Sequence, residues 1–169
     1  MIEVLRLGHR IARDKRISTH VGLVSRAFGA SKLYYSGQKD GSLEGSILKV
    51  VEDFGGDFEV EHIKGVSSFI KKKKKEGFRV AHLTVYGEVL SDVGLKGDLL
   101  IIVGGEKVPA EIYELADYNI SVGLQPHSEV AALGIVLYNF FGEGILEKDF
   151  NGKMKVVPQK KGKKVEQKD

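Results

Sequence analysis

The chain has 169 residues, 42% apolar and 29% charged, which suits one globular domain with a sizeable core rather than a disordered or membrane protein. It has no cysteine, so disulfides, iron–sulfur clusters, thiolate zinc sites and a cysteine nucleophile are excluded together. The net charge is +3 but unevenly placed: Lys148 to Asp169 holds eight lysines against three acids, +5, which leaves −2 on residues 1–147.

Met1 to Leu5 lacks the basic-then-apolar layout of a signal peptide. Glu3 to Leu7 reads instead as a first strand. Ser18 to Phe28 reads as a helix, with Ser18 or Thr19 as its cap and Gly29 as its end. Lys32 to Ser36 is a strand. Ser42 to Phe54 is a helix, with Leu43, Ile47, Val50, Val51 and Phe54 at helical spacing. Phe58 to Ile63 alternates like a strand, and Ser67 to Gly77 is a helix that carries Lys71 to Lys75. Those five lysines read as a solvated helix face or as an RNA contact, with the first favoured. Arg79 to Tyr86, Leu99 to Val103 and Tyr118 to Val122 are strands, and Pro109 opens a helix to Ala116. Val130 to Phe141 is a strongly apolar helix between Pro126 and Gly142.

Alternating strands and helices predict an α/β fold, a mostly parallel sheet covered on both faces. Leu99-Leu100-Ile101-Ile102-Val103 is apolar at every position, as a central strand of such a sheet is. After Gly144 the pattern changes. Phe150-Asn151-Gly152-Lys153 reads as a hairpin turn, because Asn-Gly accepts positive φ at both central positions. The expected organisation is a domain over residues 1–144, followed by a short hairpin and basic tail over 145–169. The tail reads either as a segment that meets polyanions or as a solvated end. No apolar run approaches the roughly 20 residues of a membrane span, and the cytoplasm is the expected compartment.

Ligands of open α/β sheets bind beyond the carboxyl ends of the strands. Here Tyr86-Gly87, Gly104-Gly105-Glu106 and Gly123-Leu124-Gln125-Pro126-His127-Ser128-Glu129 follow three successive late strands. Glycine at all three predicts a crevice where backbone approaches a ligand closely. No G-x-G-x-x-G, P-loop, H-E-x-x-H or G-x-S-x-G occurs, and His9, His20, His62, His82 and His127 show no paired metal-ligand spacing. His9, Arg10, Arg13, Lys15, Arg16, His20 and Arg26 crowd the first strand's exit and the first helix, which suits phosphate contacts. Arg26 lies in an otherwise apolar stretch, Val21 to Phe28, and so predicts a specific partner.

Five stretches carry a resemblance that covers nearly the whole chain. They are Leu7-Gly8-His9-Arg10 with Arg13 to Arg16, Thr19 to Ala30, His82 to Gly87, Val103 to Pro109 and Ser121 to Leu133. Together they resemble the SPOUT class of RNA methyltransferases, and within it the archaeal tRNA cytidine 56 2′-O-methyltransferase family. The resemblance implies an α/β fold whose C-terminal chain threads a trefoil knot, and a homodimer with its active site near the subunit interface. It implies methyl transfer from S-adenosylmethionine to a ribose 2′-hydroxyl of tRNA. The implied cofactor-binding residues are Leu83, Gly87, Gly104, Gly105, Glu106, Lys107, Val108, Val122, Gly123, Leu124, Gln125, Pro126, His127, Ser128 and Glu129.

The implied catalytic residue is Arg26, which would stabilise charge on the 2′-oxygen or orient the adjacent phosphate, since a guanidinium stays protonated. His20 reads as a proton relay or, more readily, as a buried structural histidine. Glu106 reads either as a cofactor contact or as a helix-start carboxylate. Many bacterial relatives carry Asn where His20 stands and within the Pro126-His127-Ser128 segment, so no role is borrowed from those asparagines. The competing readings are the same enzyme acting on another tRNA or rRNA nucleotide, a non-catalytic RNA-binding relative, and a small-molecule enzyme of flavodoxin-like build.

Overall fold

The structure is a computed structural model that describes residues 1–105 and 107–168. Six strands form one parallel sheet: β1 (Ile2–His9), β2 (Lys32–Gly37), β3 (Glu59–His62), β4 (Arg79–Val89), β5 (Leu99–Val103) and β6 (Tyr118–Ser121). Their order across the sheet is β3-β2-β1-β5-β4-β6, every pair parallel. Among the described residues five α-helices accompany them: α1 (Ile11–Ala27), α2 (Gly41–Phe54), α3 (Val66–Lys75) and α4 (Ala110–Leu115) connect strands, and α5 (Glu129–Phe141) follows β6.

β5 lies inside the sheet, and all five of its side chains are buried. Because successive side chains alternate faces, Leu99, Ile101 and Val103 join one core with Val21 of α1, Leu43 and Ile47 of α2 and Leu133, Val136 and Leu137 of α5. Leu100 and Ile102 join the other core, with Ile70 of α3 and Ile112 of α4. Helices therefore cover both faces. Among the described residues no helix is long and apolar enough to cross a membrane.

Helix α1 begins seven residues before the expected start. Arg10 is its N-cap, and Asp14 accepts the Arg10 backbone N–H at 3.1 Å and its guanidinium at 2.7 Å. Ser18 and Thr19 are interior residues, not caps: Thr19 Oγ1 donates to the Lys15 carbonyl at 2.8 Å, and Ser18 Oγ lies 2.9 Å from Nδ1 of His9. The first turns of α1 carry Arg13, Lys15 and Arg16 at exposed positions and have no apolar periodicity to reveal them. His9 is buried with Ser18 on one ring nitrogen and Asp40 on the other, so it is not a surface phosphate contact. Lys73 departs from the solvated lysine face. It is buried, 2.6 Å from Glu3 and 4.2 Å above the Phe78 ring, while its four neighbours in the run are exposed.

The C-terminal hairpin exists, but its turn is elsewhere. Strands β7 (Met154–Val157) and β8 (Lys164–Gln167) pair antiparallel, with residues 158–163 between them. Asn151 does adopt the positive φ its type permits, 56°, yet the backbone there bridges to Gly55 at the end of α2. A Cβ on Gly152 would stand 2.1 Å from the Phe54 carbonyl carbon, so Asn-Gly serves close docking of the chain on α2.

Asp40 caps α2 and anchors it to β1. Its carboxylate accepts the Ser42 hydroxyl at 2.7 Å and the Ser42 and Leu43 N–H groups at 2.9 and 3.2 Å, and faces His9 at 3.2 Å. These bonds, the Ser42 hydroxyl foremost, hold its pKa down at about 2. A carboxyl whose pKa is lower folded than unfolded adds stability above its unfolded value, and that stability is lost as pH falls through the folded one. Asp40→Asn should therefore cost about 2 kcal/mol at neutral pH. It should also flatten the loss of stability between about pH 4 and pH 2, as measured by denaturant unfolding over that range.

Candidate functional site

Strands β5, β4 and β6 are neighbours, so their carboxyl ends and the loops behind them meet at one edge of the sheet. A cavity of about 230 Å³ opens there. Its walls are built by close backbone approach. A Cβ on Gly104 would lie 2.6 Å from Val108 Cγ2, and one on Gly105 would lie 3.2 Å from the Leu7 carbonyl oxygen. In the β4–β6 ladder both Leu83 and Glu88 pair with Ile120, so residues 84–87 leave the register and fold outward as a wall. Gly87 ends that excursion against β6. A Cβ there would stand 2.4 Å from the Asn119 carbonyl oxygen.

The cavity brings together eight of the sequence-predicted residues: Leu83, Gly104, Gly105, Val108, Val122, His127, Ser128 and Glu129. The others are placed differently. Gly87 supports the wall from behind. Lys107 lines a second cavity of about 570 Å³, with Leu7, Gly8, Arg10, Ser36 and Gly105. Gly123, Leu124, Gln125 and Pro126 form the turn before α5 without lining the cavity, and Leu124 is largely exposed. That turn is closed by the Ser121 hydroxyl, which donates to the Gly123 carbonyl at 2.6 Å. Glu106 lies outside the described residues.

Two buried side chains that sequence reasoning passed over organise the site. Arg6, on β1, is buried beneath the β5 loop. Its Nη1 donates to the carbonyls of Leu7 and Gly104, the latter at 2.6 Å, and its Nη2 stands 3.0 Å from the Glu129 carboxylate at the start of α5. One guanidinium thus ties the first strand to two cavity walls. Burial raises the pKa of Glu129 even though Arg6 opposes the rise, and burial lowers that of Arg6. Glu129 therefore faces Arg6 as a structural partner. A visible trace of Arg6 exists in the sequence: a charge set within the apolar run Val4-Leu5-Arg6-Leu7.

The second is His82 on β4, fully buried at the cavity. Its Nδ1 is 2.9 Å from Asn119 Oδ1, and Tyr113 stands edge-on to its ring at 4.7 Å. Burial lowers its pKa, against the Asn119 hydrogen bond. Asn119 and Tyr113 are far apart in sequence from His82, so spacing gave no signal.

Arg26 lies in another place. It is buried at the end of α1, where Nη2 donates to the Phe54 and Gly55 carbonyls at 2.6 and 2.7 Å and Nε to Gly55 at 3.0 Å. Its guanidinium carbon is 5.0 Å from the Phe150 ring centroid. The predicted partner of this arginine thus exists, and it is the carboxyl end of α2, where a cation suits the dipole. Arg26 borders a cavity formed with the hairpin, separate from the one at the β4–β6 edge. His20 is exposed on α1 rather than buried. Among the described residues, no three His, Asp or Glu side chains cluster so as to hold a metal ion.

The cavity is thus small and half apolar. Its half-buried Glu129 carboxylate is paired with Arg6, and burial lowers the pKa of its His82. Such a cavity can bind a ligand through backbone and shape.

The two glycines give a sharp test. Gly87→Ala should destabilise the protein by about 3 kcal/mol, because the added methyl meets backbone that cannot move aside. Gly123→Ala, with no heavy atom within 4 Å of its Cβ, should stay within about 0.5 kcal/mol of the parent. Thermal unfolding of both variants checks the pair.

Residues 54–166 match the family model described as Trm56, tRNA ribose 2′-O-methyltransferase. The tRNA (cytidine(56)-2′-O)-methyltransferase of Methanocaldococcus jannaschii is 51% identical over 173 residues, which covers 98% of this chain and 96% of that one. The protein of the same name from Nitrosopumilus maritimus is 47% identical over 174 residues, covering 100% of this chain and 98% of that one. Among solved structures, the A. aeolicus TrmH/SpoU tRNA modifying enzyme superposes with a TM-score of 0.65 at 18% identity, covering 88% of this chain and 79% of that one. The SpoU methyltransferase AviRb from Streptomyces viridochromogenes, in complex with AdoMet, gives a TM-score of 0.61 at 14% identity, covering 90% of this chain and 58% of that one. The last two show the same α/β fold.

Proposed function

This chain belongs to the Trm56 family of tRNA ribose 2′-O-methyltransferases, and from that premise we propose that it methylates the 2′-hydroxyl of cytidine 56 in the T-loop of tRNA, with S-adenosylmethionine as methyl donor. The observation that carries the reading is the likeness to named cytidine 56 enzymes along essentially the whole length of both chains. The cavity supports it. S-adenosylmethionine supplies a methyl group already activated on a sulfonium, so the protein has to bind, orient and exclude water rather than create a leaving group. Gly104, Gly105 and Val108, with Leu83, Val122 and the His127–Glu129 segment, offer the backbone-rich, neutral wall such a ligand needs.

Charge at the 2′-oxygen is then the task of Arg26. Within one chain its guanidinium is at the hairpin cavity, away from the β4–β6 edge. A homodimer reconciles the two places. Val24 and Phe28 of α1 with Val130, Ala131, Gly134, Ile135 and Tyr138 of α5 line one almost wholly apolar groove. This groove runs between the helix that carries Arg26 and the helix that starts at the cavity, so a second copy seated on it would bring Arg26 of one subunit toward the cavity of the other. Exposed apolar patches of this kind are covered in working proteins. Ile135→Glu should yield monomers by analytical ultracentrifugation and lower methyl transfer at least tenfold.

Residues 1–144 would form the catalytic unit. The 145–169 hairpin, with its eight lysines, would offer cations to the RNA backbone in the cytoplasm.

The test is methyl transfer from labelled S-adenosylmethionine to an unmodified tRNA transcript and to one with 2′-deoxycytidine at position 56. Labelling of the first alone is expected. Equal labelling of both would move the reaction to another nucleotide. In the same assay Arg26→Ala should lower turnover at least a hundredfold while S-adenosylhomocysteine still binds.

A further inference from the structure

His82 carries an unused atom. Its Nδ1 lies 2.9 Å from Asn119 Oδ1, and the amide of Asn119 is oriented by its own bond, in which Nδ2 donates to the Tyr113 carbonyl at 3.0 Å. Since Oδ1 can only accept, His82 Nδ1 must donate, which fixes the tautomer and leaves Nε2 as a bare acceptor. That Nε2 is buried and has no hydrogen-bond partner among the described residues. His82 itself lines the cavity at the ends of β4, β5 and β6. Burial opposes protonation, so the ring presents a lone pair and no charge.

A buried acceptor of this kind calls for a donor from the ligand. S-adenosylmethionine has three classes of donor: its ammonium, its ribose hydroxyls and the exocyclic amine of adenine. The charged and hydroxylic ends match the polar residues His127 and Ser128, which precede α5. On the face of the sheet that His82 shares with Val80, the Val108 side chain and the Tyr113 ring line the cavity and offer apolar surface that suits a flat base. The donor on such a base is the exocyclic amine.

We infer that His82 Nε2 accepts a hydrogen bond from the exocyclic amine of the cofactor's adenine ring, and that His82 thereby selects a 6-aminopurine over a 6-oxopurine. The inference rests on the S-adenosylmethionine reading above. A 6-oxopurine would set its carbonyl lone pair against that of Nε2, with neither atom carrying a proton.

The test uses the full-length protein, S-adenosylhomocysteine and its deaminated analogue S-inosylhomocysteine. Calorimetry gives both affinities, and nitrogen-15 spectra of the histidine rings report the state of Nε2. S-adenosylhomocysteine should bind at least about tenfold more tightly than the inosyl analogue, and should move the His82 Nε2 resonance to lower chemical shift. His82→Leu should shrink the preference about tenfold, and His82→Gln, which places an amide oxygen near the lost acceptor, should restore part of it. If His82→Leu fails to fold, the parent protein's ring shift and its two affinities decide. An unmoved Nε2 resonance with S-adenosylhomocysteine bound, equal affinities for the two nucleosides, or an undiminished preference in His82→Leu would each overturn the role of His82 and leave the cofactor reading intact. Failure of the parent protein to bind either nucleoside would overturn both.

Discussion

The buried contact between Arg6 and Glu129 is the constraint on which the site depends. Arg6 stands on β1, Gly104 follows β5 and Glu129 begins α5, and one guanidinium ties all three places together. Isolated burial of either charge would cost several kcal/mol, and the shifts on both groups show that burial outweighs their mutual attraction. The pair persists because each group compensates the other and because Nη1 donates to the Leu7 and Gly104 carbonyls. Its value is therefore geometric. It sets the start of α5 against the β5 loop, and so fixes two walls of the cavity.

Around that anchor the chain divides its tasks. The sheet's β5-β4-β6 edge offers a neutral pocket, walled by glycine-spaced backbone and floored by apolar side chains and His82. The cation proposed for catalysis sits at the far end of α1, held by the α2 carbonyls and covered by Phe150 of the hairpin segment. Separation keeps a permanent positive charge away from the proposed sulfonium ligand within one chain. The apolar groove of α1 and α5 supplies the surface through which two copies would join these halves. The hairpin is then more than an appendage, because its docking through Asn151 and Gly152 also packs Phe150 over Arg26.

Much of this was legible in the sequence, and the parts that were not share a cause. The all-apolar run of β5, the periodic apolar residues of α2 and the apolar run of α5 are local signals, and the structure matches them; of the glycines expected after three late strands, Gly104 and Gly105 line the cavity, while Gly87 lies within β4 and Gly123 is outside the lining. The start of α1 was missed because its first turns lie in water, with a charged Asp14–Arg10 pair in place of an apolar stripe. Asn151-Gly152 has the local chemistry of a turn, but tertiary docking on α2 decided its use. His9, Lys73 and Arg6 read as surface charges or went unread, because their partners Asp40, Glu3 and Glu129 are brought near only by the sheet. Glu3 and Arg6 did leave one trace: charges in a strand whose other side chains are buried demand buried partners.

The most direct test of this account is a double-mutant cycle on Arg6→Met and Glu129→Gln, read out as the affinity for S-adenosylhomocysteine and as the free energy of unfolding. Each single substitution strands a buried partner or its hydrogen bonds, so each should weaken both quantities. The account predicts that the double variant loses at least about 1.5 kcal/mol less than the two singles together. Strictly additive losses would contradict it, since they would mean that the cavity walls are placed without this contact.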